Sequence, residues 1–314
     1  MAGMGIRRLP LAVVIVASMA LVWPLARRAA TLPNHTETFR VATFNIHKGA
    51  DRRNNYDLDR TIEAIALLDA DVVGAQEVMR NDPGLNCDDQ AELIAQGLRQ
   101  RTGRPWTYVF VKAWIRERRQ CQGSGLGDDT ETEGVAIFAA EPIIASNSVR
   151  LSEGRVGLAV RLASMPEVPI IVTHLSPNAE SQPLREREIA TLLPWAERQG
   201  PGILIGDLNA RPETSELGAV YARYRDAWAD AWASGRIAGV VSGSTRPGRR
   251  VSRIDYVFYM PSIDLTLDSA VVLDISDLNG RGEVSDHHPV VATFLRNPTR
   301  GSPAPDATAS DETR

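Results

Sequence analysis

From Phe39 onward the chain alternates between two rhythms of hydrophobic and polar positions. Phe39-Arg40-Val41-Ala42-Thr43-Phe44 has the period of a strand. Between Asp57 and Leu68 the apolar residues Leu58, Ile62, Ile65 and Ala66 fall on one helical face. Asp71 to Ala75 predicts a short buried strand, Ala91 to Leu98 a second helix, and Trp106 to Val111 another strand. Arg116 to Thr132 is polar and rich in Gly and Asp, which predicts a mobile surface loop holding Cys121. Strand signals then crowd together over Gly134–Ala139, Ile143–Val149, Val156–Leu162 and Pro169–Thr173. Leu184 to Arg198 reads as a helix, Gly202 to Ile205 as a strand, and Glu216 to Ala233 as helical in part. Gly235 to Arg250 is a Gly-, Ser- and Arg-rich loop, and Ile254–Tyr259, Asp264–Leu273 and His288–Leu295 are closing strands. Adjacent strands without crossover helices, mixed irregularly with helices, predict an α+β sandwich of two sheets flanked by helices.

Composition narrows this picture little. With 314 residues, 43% of them hydrophobic, the chain suffices for one large domain or two small ones. The formal net charge of −4 gives no long-range pull on a polyanion, so attraction for phosphate must come from metal or local arginines. Lys48 and Lys112 are the only lysines. Cys87 and Cys121 form no CxxC pair, which argues against a zinc site.

The N-terminus bears on compartment. Arg7-Arg8 precede the uncharged apolar run Leu9 to Ala26, and Arg27-Arg28 follow. Such a run is long enough to span a bilayer. Arginine at the −3 position for cleavage after Ala29 or Ala30 opposes signal processing. The expectation is an uncleaved anchor over residues 1–29 with the body outside the cytoplasm, the alternative being a secreted protein. A linker over 30–37, a single domain over 38–296 and a disordered Pro-, Ser-, Thr- and Ala-rich tail over 297–314 complete the expected organisation. Export makes a Cys87–Cys121 disulfide reasonable.

Polar residues are stranded at strand ends: Asn45 after Thr43-Phe44, Glu77 after Ala75-Gln76, His174 after Val172-Thr173, and Asp207 and Asn209 after Ile205-Gly206. Asp255 lies in Arg253-Ile254-Asp255-Tyr256, and Asp286 and His287 lie in Ser285-Asp286-His287-His288-Pro289. Any one of these is ordinarily a turn former or helix cap. Six such places, nearly all carboxylate, carboxamide or imidazole, are harder to explain separately. If the strands share one sandwich, their ends converge on one rim. A cluster of this composition suits a hard cation such as Mg²⁺, with Mn²⁺ a possible substitute.

These segments, in this order and covering Phe39 to Leu295, resemble the endonuclease/exonuclease/phosphatase superfamily, the deoxyribonuclease I-like fold. The pairing of Gly206-Asp207-Leu208-Asn209-Ala210 with Ser285-Asp286-His287-His288-Pro289 carries most of the resemblance. It implies a four-layered α/β sandwich, with two mainly antiparallel sheets face to face, and metal-dependent hydrolysis of phosphate esters. It further implies Glu77 as principal metal ligand with Asn45 beside it, and Asp286 near the metal. Asp207 would align or deprotonate the attacking water and also approach the metal. Asn209 would bind a phosphate oxygen. His287 would contact the scissile phosphate or act as base, held by Asp255. His174 would donate to a phosphoryl oxygen or the leaving group.

Other residues have a bland reading beside the functional one. His47 and Lys48 follow Asn45 in what is either a turn or a phosphate contact. Asn178 either assists His174 or forms a turn. Arg185 reads as a surface helical charge, Tyr108 as a core tyrosine, His35 as incidental, and His288 as packing at the strand start. Arg246, Arg249, Arg250 and Arg253 form either a phosphate-gripping rim or a solvated loop. The substrate expected first is nucleic acid, through a nuclease-type phosphodiesterase acting as a monomer. A phospholipid or inositol phosphate at a membrane surface comes second; in the phospholipid case, exposed apolar loops should stand beside the site. A catalytically inactive binding module is a third reading, opposed by the intact residue set.

Overall fold

The computed structural model of the chain describes residues 37–121, 130–177, 179–248 and 250–296. The expected anchor, linker and tail, with His35, Asn178 and Arg249, lie outside them. Among the described residues no helix is long and apolar enough to cross a membrane.

The strands, in chain order, are β1 (Thr38–Asn45), β2 (Val72–Arg80), β3 (Thr107–Gln120), β4 (Thr130–Ala139), β5 (Ile143–Arg150), β6 (Val156–Leu162), β7 (Met165–His174), β8 (Ile203–Asp207), β9 (Arg225–Asp226), β10 (Ile237–Gly239), β11 (Asp255–Tyr259), β12 (Leu265–Val272) and β13 (Val290–Arg296). The helices are α1 (Leu58–Leu67), α2 (Gln90–Thr102), α3 (Gln182–Gln199), α4 (Gly218–Tyr221) and α5 (Ala227–Ala233). One sheet has the order β10-β12-β13-β1-β2-β4-β3 and the other β5-β6-β7-β8-β11-β9. Among the described residues, only β1–β2, β7–β8 and β10–β12 pair parallel. The expected sandwich of two mainly antiparallel sheets is the fold observed.

Strand alternation sorts the core into layers. Val41, Val72, Ile137, Leu158, Val172, Ile205 and Val257 fill the space between the sheets. The intervening Ala42, Phe44 and Val73 face the other way, against Ile62 and Ile65 of α1 and Ile94 and Leu98 of α2. On the second sheet Ile171, Leu204 and Phe258 pack against Ile189, Leu192 and Trp195 of α3. The sheets approach closely at Gly74, where a Cβ would stand 2.5 Å from Ile205 Cδ1.

Two expectations need correction. Arg116–Thr132 is not a loop throughout, because β3 continues to Gln120 and β4 begins at Thr130. Cross-strand pairing overrides the polar composition there, with Lys112 opposite Gly134 and Arg116 opposite Glu131. Cys121 at its end is buried and bonded to Cys87, which ties β3 to the turn after β2. The loop from Gly235 also contains a strand: β10 pairs Ile237 with Ala270 at the sheet edge.

Candidate active site

On four strands the series of residues facing between the sheets ends in a polar side chain at the same pole. Val41 and Thr43 lead to Asn45 on β1, and Ile170 and Val172 to His174 on β7. Ile203 and Ile205 lead to Asp207 on β8, and Tyr259 and Val257 lead back to Asp255 on β11. Pairing register sets His174 opposite Asp207, and Asp207 opposite Asp255. Three chemical side chains therefore stand in one row across the second sheet. Gly206 permits the row: its φ is +150°, and a Cβ there would lie 2.0 Å from the Thr173 carbonyl oxygen.

Glu77 arrives by a different route. The β2–β4 register shifts between Ala75 and Val78. Within that bulge Glu77 takes a φ of 56°. A non-glycine residue there stores on the order of 1–3 kcal/mol of strain, a pattern concentrated at functional sites. Asn209, just past β8, has a φ of 51°.

Asn45 links the two sheets. Its Nδ2 donates to Glu77 Oε1 at 3.0 Å and to Asp207 Oδ2 at 3.1 Å, while its Oδ1 accepts from the His47 amide at 3.0 Å. Ser285 Oγ donates to the Asn45 carbonyl at 2.7 Å and accepts from the His287 amide at 3.1 Å, which docks the segment before β13 at the same place. His287 Nδ1 lies 2.9 Å from Asp255 Oδ2, and its Nε2 lies 3.7 Å from Asp207 Oδ2 and 3.9 Å from Asp286 Oδ1. Asp286 also pairs with Arg246 at 2.7 Å.

His174 has different company. Arg155 Nη1 is 3.1 Å from its Nδ1, Asn209 Nδ2 is 3.2 Å from its Nε2, and Asp207 Oδ2 is 3.6 Å away. Both histidines are buried. Burial, reinforced by Arg155 and His287, holds the His174 imidazole well below its ordinary value. Burial also opposes charge on His287, but Asp255 and Asp207 outweigh it and raise its pKa. Burial and then Asp255 push the Asp207 carboxyl upward.

These groups open onto one cavity of about 500 Å³, lined by Glu77, His174, Asp207, Asn209, Asp286 and His287 together with Lys48, Glu133, Arg155, Pro177 and Arg246. Asn45 and Asp255 stand directly behind that lining. All eight candidate residues thus come together.

The donor set fits a hard divalent cation. Glu77, Asp207 and Asp286 present carboxylates to one space, and Asp286 Oδ1 is buried without a hydrogen-bond partner. Asp207, Asp255 and His287 also offer ligand atoms within 4.8 Å of one another. In that triad His287 Nδ1 hydrogen-bonds Asp255 Oδ2, while Asp255 Oδ1 is buried without a hydrogen-bond partner.

The remaining candidates divide. Lys48 and Arg246 line the cavity. His47 closes a turn, its Nδ1 3.1 Å from the Ala50 carbonyl oxygen. His288 packs at the strand start as expected: it is buried, its amide donates to the Thr245 carbonyl, and its Nδ1 accepts from the Ile275 amide. Tyr108 is half-buried on β3, away from the cavity, 6.1 Å from the Phe138 ring. Arg185 is not a surface charge: it is buried and pairs with Glu216 at 2.9 Å. Arg253 is neither rim nor solvated loop, because it is buried against Asp226 and lies over the Trp228 and Tyr256 rings. Sequence reasoning missed Arg155 and Glu133. Arg155 directly precedes β6, and the Gly157–Thr173 pairing brings it beside His174; only the strand register exposes this.

Comparison with known proteins agrees with the fold. A profile of the Endonuclease/Exonuclease/phosphatase family matches residues 42–287. No curated protein matches the sequence. Among solved structures, an endonuclease/exonuclease/phosphatase from Beutenbergia cavernae superposes with a TM-score of 0.61 at 21% identity, over 82% of this chain and 72% of that one. The human Nocturnin catalytic domain with bound sulfate gives 0.60 at 22% identity, over 83% and 94%. A mannosyl-6-phosphatase from Bacteroides thetaiotaomicron gives 0.58 at 17% identity, over 82% and 99%.

Proposed function

The chain belongs to the endonuclease/exonuclease/phosphatase family, and on that premise we propose that it is a divalent-metal-dependent phosphodiesterase of nuclease type. The observation that carries this reading is that Glu77, His174, Asp207, Asn209, Asp286 and His287 line one open cavity, with Asn45 and Asp255 bonded to Asp207 and His287 behind it. Glu77, with Asp286 and Asp207 beside it, would hold the Mg²⁺ or Mn²⁺ ion. When bound, such an ion neutralises an anionic phosphate and polarises its P–O bonds. The protein groups then divide the remaining work. Asp207 is placed to align and deprotonate the attacking water. His287, held as a cation by Asp255, contacts a phosphoryl oxygen. Asn209 steadies a second oxygen, and His174 donates to a third or to the leaving group. Lys48 and Arg246 supply local positive charge that the whole chain lacks.

Hydrolysis of bis-p-nitrophenyl phosphate, abolished by EDTA and restored by Mg²⁺, is the expected result. Absence of turnover, or turnover indifferent to EDTA, would overturn the metal-dependent reading. Metal-dependent, salt-sensitive nicking of DNA or RNA is expected alongside it.

One observation favours a phospholipid as second reading. Val241 and Val251 are 70% and 60% exposed, and they bracket the loop that carries Arg246 to the cavity. Apolar side chains beside a phosphate site suit a lipid surface. The Leu9–Ala26 run supports a protein held at a membrane outside the cytoplasm. Assaying DNA, RNA, sphingomyelin and inositol phosphates with wild type and Glu77→Ala separates these substrates.

A further inference from the structure

The His174 imidazole sits between two nitrogen donors. Arg155 Nη1 approaches Nδ1 at 3.1 Å, and the bond is buried. A guanidinium carries only N–H groups and cannot accept a hydrogen bond. A bare Nδ1 satisfies that contact, and it leaves the proton of neutral imidazole on Nε2. Asn209 Nδ2 stands 3.2 Å from Nε2, but that amide also donates to the Leu175 carbonyl at 3.0 Å, which fixes its nitrogen toward the ring. The second N–H of that amide competes for the ring lone pair, but the charged guanidinium is the stronger donor, so the lone pair is held at Nδ1 and the Nε2 proton finds no acceptor on the Asn209 nitrogen. The nearest carboxylate oxygen to Nε2, on Asp207, is 3.6 Å away, too long for a good hydrogen bond. The Nε2–H group thus borders the cavity with no well-placed acceptor among the described residues.

We propose that Arg155 is a positioning residue that locks His174 in the Nε2–H tautomer, so that His174 serves only as a hydrogen-bond donor to a substrate oxygen. A carboxylate beside Nδ1 would do the reverse: it would draw the proton to Nδ1 and turn a lone pair toward the cavity. The register of β6 on β7 builds the lock. Gly157 pairs with Thr173, and Thr173 Oγ1 donates to the Val156 carbonyl at 2.9 Å, which holds the start of β6 against the end of β7. The effect on turnover rests on the phosphodiesterase reading, whereas the tautomer does not.

Long-range ¹H–¹⁵N correlation spectra of the ¹⁵N-labelled protein read the tautomer directly, with the His174 signals assigned by their loss in His174→Gln. The wild type is expected to show a protonated Nε2 and a bare Nδ1. Arg155→Lys keeps a donor at Nδ1 and should keep that pattern, with kcat within about tenfold of wild type. Arg155→Glu should move the proton to Nδ1 and lower kcat by about 10²-fold or more, since a misplaced imidazole proton disables acid–base machinery. A protonated Nδ1 in the wild type would overturn the proposal without reference to any variant or activity. So would an Arg155→Glu protein that keeps both the Nε2–H pattern and wild-type kcat.

Discussion

Two histidines face the same cavity from opposite sheets, and their neighbours give them opposite characters. His174, at the end of β7, has Arg155 on Nδ1 and is kept neutral. His287, just before β13, has Asp255 on Nδ1 and Asp207 and Asp286 around Nε2, and is kept charged. Both are buried to a similar degree, so desolvation does not distinguish them. The partner at Nδ1 does. The comparison teaches that a histidine's role at a phosphate site is set by the group behind it: a guanidinium yields a neutral donor, and a carboxylate yields a cation.

The largest effect is expected from removing the charged member. His287→Ala should lower kcat toward a phosphodiester by about 10²–10³-fold, the usual range for losing one donor aimed at developing negative charge. Steady-state kinetics on folded protein check this, and near-normal turnover would end the assignment. Asp255→Asn keeps the ring but removes its counter-charge. A loss of about 10–100-fold is expected, as for other groups that orient a histidine from behind. The His287 titration should move downward at the same time, toward the ordinary imidazole value. NMR titration of the His287 ring reads that shift independently of rate.

His288 sharpens the comparison by contrast. It is the same residue type one position along, yet its ring bonds the Ile275 amide and lies 3.8 Å from Asp274. His288→Ala should destabilise the fold by about 1–3 kcal/mol, by orphaning a buried amide donor, and leave kcat within a few-fold of wild type. Denaturant unfolding and kinetics on the same sample separate the two effects.

The difference between the histidines was only half legible in the chain. Alternation along β1, β7, β8 and β11 places Asn45, His174, Asp207 and Asp255 at strand ends facing the interior, because hydrophobic series and polar ends are written in the sequence. The Asp255–His287 pairing followed from the family resemblance. Arg155 was invisible, because its proximity to His174 depends on which residues pair between β6 and β7, and register is a property of the folded sheet. The same limit explains Arg185 and Arg253: each is buried by a carboxylate far along the chain, Glu216 and Asp226, so a charge on a helix or loop looked solvated. Glu77 was found by motif, but the bulge and positive φ that aim it left no mark in the alternation of β2.

The smallest expected effect tests the two electrostatic characters through stability, in EDTA so that no ion intervenes. His287 has a folded-state pKa raised above the ordinary 6.5. Its contribution is fully present below pH 6.5 and is lost as pH rises through the folded value. Asp207, also raised, acts in the same sense, because protonation favours the folded state. His174 has a lowered folded-state pKa. Its contribution is present above pH 6.5 and is lost as pH falls, when the unfolded chain takes up a proton that the folded one refuses. Each histidine contributes at most about 1.4 kcal/mol per pH unit. His287→Gln should therefore flatten the alkaline limb of the curve of unfolding free energy against pH, and His174→Gln the acid limb. If both substitutions flattened the same limb, the two rings would share one electrostatic environment, and the division of roles built on Arg155 and Asp255 would fail.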